Sequence, residues 1–309
     1  MPLPARDGLG PSRVRLPGEA PVTAWDFIHK VISEQRHRHP ADREQALIER
    51  FAAGEVVLRD GTPLSPSSPI QPGTDLFFYR CPAPETPVPF EIDVIHEDDD
   101  ILVVNKPPFL ATMPRGAHIT ETVTVRLRRA TGNEELTPAH RLDRLTAGVL
   151  LLTKRREVRG LYQEMFAQRG VSKLYEAIAP EVGVAAPTRW EHHLEKTPGD
   201  IAARLVEGTE PNAATIVREV RPLGASAWGA GLARYLLEPV TGRTHQLRVQ
   251  MNAAGCPIVN DDVYPVIRDF GTDDYSNPML LASVALEFKD PRTGTSRLFS
   301  APGYSGLPA

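Results

Sequence analysis

From Phe90 onward the chain is a series of short β-type runs with few helical stretches between them, and this pattern sets the class of fold it can reach. The runs are Ile101–Val104, Val149–Leu152, Leu174–Ala179, Arg234–Leu237 and Val284–Phe288. Helical spacing is confined to Glu121–Ala130, Arg156–Gln168 and Thr244–Ala254. The last of these puts Leu247, Gln250, Met251 and Ala254 on one face and stops at Gly255. Strands that outnumber helices, without regular alternation of the two, predict an α+β fold with a mostly antiparallel sheet.

The first ninety residues read differently. Residues 1–20 are rich in Pro, Gly and Arg and are expected to be a flexible tail. Residues 21–80 spell a small α/β module. Trp25, Ile28, Val31 and Ile32 share a helix face, with Thr23 as a possible cap. A second helix is expected over Asp42–Ala53, ended by Gly54. Strands Glu55–Leu58 and Leu76–Tyr79 follow, with a tight turn at Asp60-Gly61. Cys81–Pro89 holds four prolines and reads as a stiff linker. Residues 90–309 then form the larger domain, and 309 residues suffice for two.

Several function classes drop out early. No run approaches 18 apolar residues, so no membrane span is expected. The first twenty residues lack an apolar core, so they do not read as a secretory signal. Cys81 and Cys256 stand far apart, which argues against a disulfide framework or a cysteine zinc site and favours a reducing cytoplasm. The net charge of −4 excludes a wholly basic nucleic-acid coat. It conceals an uneven distribution, however. Arg126–Lys173 holds eleven Lys or Arg against five acids, whereas Glu91–Asp100 holds six acids and no Lys or Arg. The basic stretch is either a groove for a polyanion or a solvated face.

Three segments carry chemistry. His140-Arg141-Leu142-Asp143-Arg144-Leu145-Thr146-Ala147-Gly148 runs directly into the buried-strand pattern Val149–Leu152. Arg141 and Arg144 flank Asp143 and favour its ionised form. A carboxylate at a rigid strand entry can serve as nucleophile or base, or it can simply cap a turn beside surface arginines. In Gly242-Arg243-Thr244-His245-Gln246-Leu247-Arg248-Val249, Arg243 precedes a helix start and could pair with a carboxylate or a phosphate. In Lys173-Leu174-Tyr175, alternation puts Lys173 and Tyr175 on one strand face, a charge for phosphate beside a ring for stacking. A half-buried sheet tyrosine is the plainer meaning.

Taken in order, H-R-L-D-R-x-T-x-G-x-L-L-L, K-x-Y and G-R-T-H-Q-L-R-V resemble the RluA family of pseudouridine synthases. Val103–Pro107 upstream, Glu210–Thr215, and Gly255–Asp261 with Tyr264 downstream support the resemblance, which spans Phe90 to Pro302. It implies that Asp143 is the catalytic nucleophile, Tyr175 the ring that stacks on the target base and Arg243 the partner of the aspartate. Leu247 then forms an apolar wall, Arg141 helps fill the gap left by the flipped base, and Arg144 and Lys173 bind substrate. It further implies an RNA substrate, large-subunit ribosomal RNA ahead of tRNA. The reaction is an isomerisation, so no cofactor or metal is expected. A cytoplasmic monomer is the default. Gly54–Gly61 weakly resembles the strand-turn signature of the α-L RNA-binding domain, so the module at 21–80 is expected to be α-L-like. The alternative to an enzyme is a non-catalytic RNA-binding or ribosome-assembly factor on the same scaffold.

The chain departs from the family pattern at several positions. Ala147 stands where Ser is more frequent, Gln250 and Ala282 where His is, and Asn260 where Gly is. Pro108-Phe109 replaces a Gly-containing turn. Glu191-His192-His193-Leu194-Glu195 looks metal-like, but neighbouring strand residues point to opposite faces.

Overall fold

The computed structural model describes residues 2–224, 228–268, 271 and 273–304. These divide into two compact units, Met1–Pro87 with Met113–Glu134, and Val88–Thr112 with Glu135–Ala309.

In the first unit, β1 (Ser12–Arg15), β5 (Asp75–Phe78) and β3 (Val56–Leu58) form an antiparallel sheet in that order. β2 (Val22–Thr23) pairs with β4 (Pro69–Ile70). Helices α1 (Ala24–Ser33) and α2 (Glu44–Ala52) cover the sheet and share a core of Phe27, Ile28, Leu47, Phe51, Leu76 and Phe78. Thr23 Oγ1 accepts the Asp26 N–H at 3.0 Å, so the expected cap is formed.

Two boundaries differ from expectation. Ser12–Arg15 is a strand, because Val14 and Leu16 reach the core of the unit. Two apolar residues in a Pro/Gly/Arg-rich stretch are too few to announce one. Helix α3 (Val123–Thr131) lies in the first unit although it follows β7 (Ile101–Lys106) in the chain. Glu85, inside the proline-rich stretch, explains this. Its carboxylate accepts the N–H groups of Ile119, Thr120 and Glu121 and the Thr120 hydroxyl, at 2.7–3.1 Å.

The second unit is built on one large sheet. Its strands are β6 (Asp93–Glu97), β7 (Ile101–Lys106), β8 (Thr137–Pro138), β9 (Ala147–Thr153), β10 (Val171–Pro180), β11 (Thr188–Glu195), β12 (Arg204–Val206), β13 (Ala213–Pro222), β14 (Leu232–Pro239), β15 (Leu281–Lys289) and β16 (Ser296–Ser300). The order is β12-β11-β13-β14-β10-β15-β9-β7-β6, with β16 on β15 and β8 on β9. Every pairing is antiparallel except β9 with β15, which run parallel through Ala147↔Ala282 and Gly148↔Ser283. The fold is α+β, as expected.

All of β9 is buried, in keeping with an unbroken apolar run. Val149 and Leu151 face a core completed by Val158, Tyr162 and Met165 of α4 (Arg156–Ala167) and by Phe288 and Phe299. Gly148 has φ +107°, and a Cβ there would stand 2.1 Å from the Ser283 carbonyl oxygen. Only glycine allows so close a parallel approach. Helix α5 (Gln246–Ala253) carries the third motif on the far half of the sheet.

The acidic run also finds its purpose in this unit. Glu97 pairs with Lys154 at 2.7 Å, Asp100 with Arg155 and Arg292, and Asp98 with Arg297. Part of the basic stretch is thus neutralised by the acids of β6 and its turn, and the local excess of charge is not one continuous groove.

Candidate active site

Asp143 sits in the loop between β8 and β9, half-buried, in a turn closed by the Thr146 N–H to its carbonyl at 3.1 Å. Two buried side chains fix that loop. Thr112 Oγ1 accepts the Leu142 N–H at 3.1 Å and donates to the Leu142 carbonyl at 2.7 Å. Lys106, at the end of β7, is fully buried and donates to the carbonyls of Pro107 (2.8 Å), Leu110 (2.7 Å) and Arg144 (3.0 Å). Burial pushes the Lys106 pKa well down, and the Asp143 charge pushes it up. Three carbonyl acceptors require three N–H donors, which only the ammonium has, so the geometry is that of the charged form.

The loop opens onto a cavity of about 350 Å³. It is lined by Asp143, Arg141, Lys173, Tyr175, Arg243 and Leu247 among others. Six of the seven residues expected at the site therefore converge on one cavity. Arg144 is the exception: it does not line the cavity, and its guanidinium pairs with Asp273 at 2.8 Å. Its part in the site is its main chain, which receives Lys106.

Lys173 and Tyr175 lie on β10, two residues apart on one face, as alternation requires. Tyr175 is set where β15 carries one extra residue, Val284, between the pairs Leu174↔Ala285 and Tyr175↔Ser283. Burial raises the Tyr175 pKa, with the Asp143 charge adding to the rise, so it stands as a neutral phenol. Burial lowers the Lys173 pKa, and Arg169 adds to the lowering.

Arg243 precedes α5 and is exposed. Gln246 holds its backbone: Gln246 Oε1 accepts the Arg243 N–H at 3.1 Å and the Thr241 hydroxyl at 2.6 Å. Gln246 Nε2 in turn donates to the Ala214 carbonyl and to Thr215 Oγ1 on β13. The expected Arg243–Asp143 ion pair is not formed. Arg243 Nε donates instead to the Asn212 carbonyl at 3.2 Å, and no ion pair within 4.0 Å joins it to Asp143. An exposed long side chain in water gains little by committing to one carboxylate.

Arg248, His245 and His140, to which motif reading assigned no role, also line the cavity. Arg248 of α5 is buried and pairs with Asp261 at 2.6–2.7 Å and with Asp262 at 2.8 Å. Burial alone would lower its pKa, but Asp261 outweighs that and holds it above the ordinary value. His245 is left-handed, with φ +56°, and its Nδ1 lies 3.0 Å from the Tyr264 hydroxyl. Burial lowers its pKa and Asp143 opposes that. His140 Nε2 accepts the Leu151 N–H at 3.1 Å, and burial takes its pKa down to about 3. The clue for these three was their place in the H-R-L-D and G-R-T-H-Q-L-R strings.

Among the described lining residues Asp143 is the one carboxylate, against Arg141, Lys173, Arg243 and Arg248. Such a pocket attracts an anion. Its volume is at the small end for ligand sites, right for one nucleotide. His192 and His193 point apart on β11: Gln250 Nε2 approaches His192 Nδ1 at 3.2 Å, and His193 Nδ1 lies 2.7 Å from the Glu210 carbonyl. Phe109 (φ +65°) and Asn260 (φ +61°) have left-handed backbones.

Residues 100–253 match the model of the RNA pseudouridylate synthase family. The chain is 30% identical over 242 residues to an uncharacterized RNA pseudouridine synthase of Synechocystis sp., covering 74% of this chain and 77% of that one. It is 31% identical over 225 residues to ribosomal large subunit pseudouridine synthase C of Escherichia coli, covering 69% and 67%. A dual-specificity RNA pseudouridine synthase of Pasteurella multocida is 30% identical over 219 residues, covering 68% and 93%. The fold is shared with the solved human RNA pseudouridylate synthase domain containing 1, at TM-score 0.55 and 22% identity over 69% of this chain and 83% of that one.

Proposed function

Since the chain belongs to the RluA family of RNA pseudouridine synthases, isomerases of uridine in RNA, we propose that the cavity around Asp143 is where its uridine reacts. The observation that carries this reading is the convergence of Asp143, Tyr175, Arg243, Lys173 and Arg141 on one cavity the size of a nucleotide.

In this reading the target uridine leaves its stack and enters the cavity, since no side chain reaches it inside a helix. Tyr175 stacks on the base, Leu247 closes the apolar side, and Lys173 and Arg141 meet phosphate and the vacated stack. Asp143 attacks as the nucleophile, and the bond it forms with the nucleoside breaks again when the base re-attaches, which regenerates the carboxylate. The N1–C1′ bond breaks, the base turns, and a C5–C1′ bond forms. The C5 proton leaves and N1 gains one, so no co-reactant is needed. Arg243 swings from the Asn212 carbonyl toward Asp143 when RNA enters.

Large-subunit ribosomal RNA is proposed as the substrate, with tRNA second. The Escherichia coli relative is named for the ribosomal large subunit. The proposed setting is the cytoplasm; no helix among the described residues is long and apolar enough to cross a membrane. The test is pseudouridine mapping in total RNA from cells with and without the gene. Loss of modification at one or more ribosomal uridines, restored by the wild-type gene, supports the reading. Loss confined to tRNA moves the substrate there, and no change in either RNA contradicts the proposal.

A further inference from the structure

The reaction moves a proton from C5 of the base to N1, and a side chain with a free electron pair must carry it. Such pairs are scarce among the described lining residues. Arg141, Arg243 and Arg248 have none to give. Tyr175 is a neutral phenol whose pKa burial holds high. Lys173 is turned to phosphate, and Asp143 is bonded to the nucleoside until the base re-attaches. His140 accepts the Leu151 N–H at Nε2, so its free pair is spent and its Nδ1 carries the ring proton. His245 remains.

Tyr264 fixes the tautomer of His245. The Tyr264 hydroxyl accepts the Ala203 N–H at 2.8 Å and donates its single proton to the Ala203 carbonyl at 3.0 Å. The 3.0 Å contact with His245 Nδ1 is therefore donated by the imidazole. Nδ1 carries the ring proton, and Nε2 keeps a free pair in the neutral ring. Burial favours that neutral form. Nε2 makes no hydrogen bond among the described residues. His245 lines the cavity and Tyr264 does not, so the Nδ1 edge is turned away and the opposite edge is left for the substrate.

The backbone gives up a favourable conformation to hold the ring there. His245 is the cap residue of α5, yet its φ is +56° and its side chain makes no capping hydrogen bond. A helix cap is ordinarily extended, with a side chain that accepts a helix N–H. Giving up both costs stability, and such costs concentrate at functional sites.

We propose that His245 is a further catalytic residue, the base that takes the C5 proton and returns it to N1. The inference rests on the reading of the cavity around Asp143 as the reaction site. Once the C5–C1′ bond has formed, C5 carries both the sugar and a hydrogen, and C6 is doubly bonded to N1. The C5–H bond then breaks and its proton passes to His245 Nε2. The electron pair left behind forms the C5–C6 double bond, and the C6–N1 π pair becomes a lone pair on N1. The imidazolium returns the proton to N1 and ends neutral. C5 and N1 both flank C6, so one ring nitrogen serves both.

The test uses His245→Asn and His245→Gly in the full chain. Both residues suit a left-handed backbone, and unfolding midpoints check that the variants fold. Single-turnover rates are measured on the RNA whose modification depends on this gene, with ordinary or 5-deuterated uridine at the target. The expected result is a rate at least about 100-fold lower in both variants, with the RNA dissociation constant within about threefold of wild type. The deuterium isotope effect should grow, because C5–H cleavage becomes rate-limiting. A rate within about threefold of wild type, or a slower rate with an unchanged isotope effect, would overturn the proposal. The second result is the signature of a residue that only positions the loop. Should neither variant fold, the wild type decides through pH. The charges facing His245 are Asp143 from the loop before β9, Arg248 on α5, Asp261 beyond it and Lys196 beyond β11. Acid protonates Nε2, so the wild-type rate should fall with pH while its isotope effect rises. Protonation of Asp143 slows the attack instead and leaves the isotope effect as it was, so an isotope effect constant with pH overturns the proposal. Asp143→Asn is run alongside. Product from that variant removes the cavity reading, whereas no product from it, with wild-type rates in the His245 variants, removes only this inference.

Discussion

Lys106 Nζ donates to the carbonyl of Arg144 at 3.0 Å, one residue beyond Asp143. The end of β7 thereby grips the loop that carries the proposed nucleophile. Lys106→Met should keep the stem but strand three buried carbonyls. The expected loss is about 1–3 kcal/mol of stability and at least about tenfold in turnover, since small displacements of a reacting group are costly. Denaturant unfolding and single-turnover rates check it. Wild-type turnover in a destabilised Lys106→Met protein would show that the clamp serves only the fold.

Gly148 must approach Ser283 within a distance no Cβ tolerates. Gly148→Ala is therefore expected to destabilise the second unit by at least about 2 kcal/mol, combining a positive φ with a backbone clash. The denaturation midpoint reads this directly. A loss below about 0.5 kcal/mol would contradict the tight parallel pairing of β9 and β15.

His140 supplies a pH dependence whose sign can be worked out. Its pKa is about 3 in the folded chain, through burial and the nearby Lys173 charge, against about 6.5 when unfolded. Between those values the unfolded chain holds a proton that the native chain lacks, so stability rises with pH across the window and is lost on acidification below about 6.5. One proton corresponds to about 1.4 kcal/mol per pH unit. Wild type should lose stability faster than His140→Gln between pH 6 and pH 4, by up to that slope. Parallel curves would mean that His140 is charged in the native state.

Much of the site is legible in the sequence because its chemistry needs fixed residue types at short spacing. Lys173 and Tyr175 are two apart on a strand, and Asp143 directly precedes an unmistakable buried run. The parts that are not legible depend on long-range pairing. Nothing near Glu97 or Asp100 in the chain announces that their partners are Lys154, Arg155 and Arg292. Glu85 looks like a linker residue until its four hydrogen bonds to the turn before α3 are seen. Lys106 reads as part of a motif, but its role appears only when β7 and the Asp143 loop meet. Strands β11 and β13 are hard to read from the sequence because β11 buries only Leu194 fully and the buried residues of β13 lie in its first half.

The most direct measurement compares purified wild type and Asp143→Asn on the RNA whose modification depends on this gene. Pseudouridine formation and RNA binding are read in parallel. Asn keeps the shape of the side chain and removes the attacking charge, so product should vanish while the dissociation constant changes by less than about threefold, below 1 kcal/mol. Substantial residual turnover by Asp143→Asn would contradict Asp143 as the nucleophile.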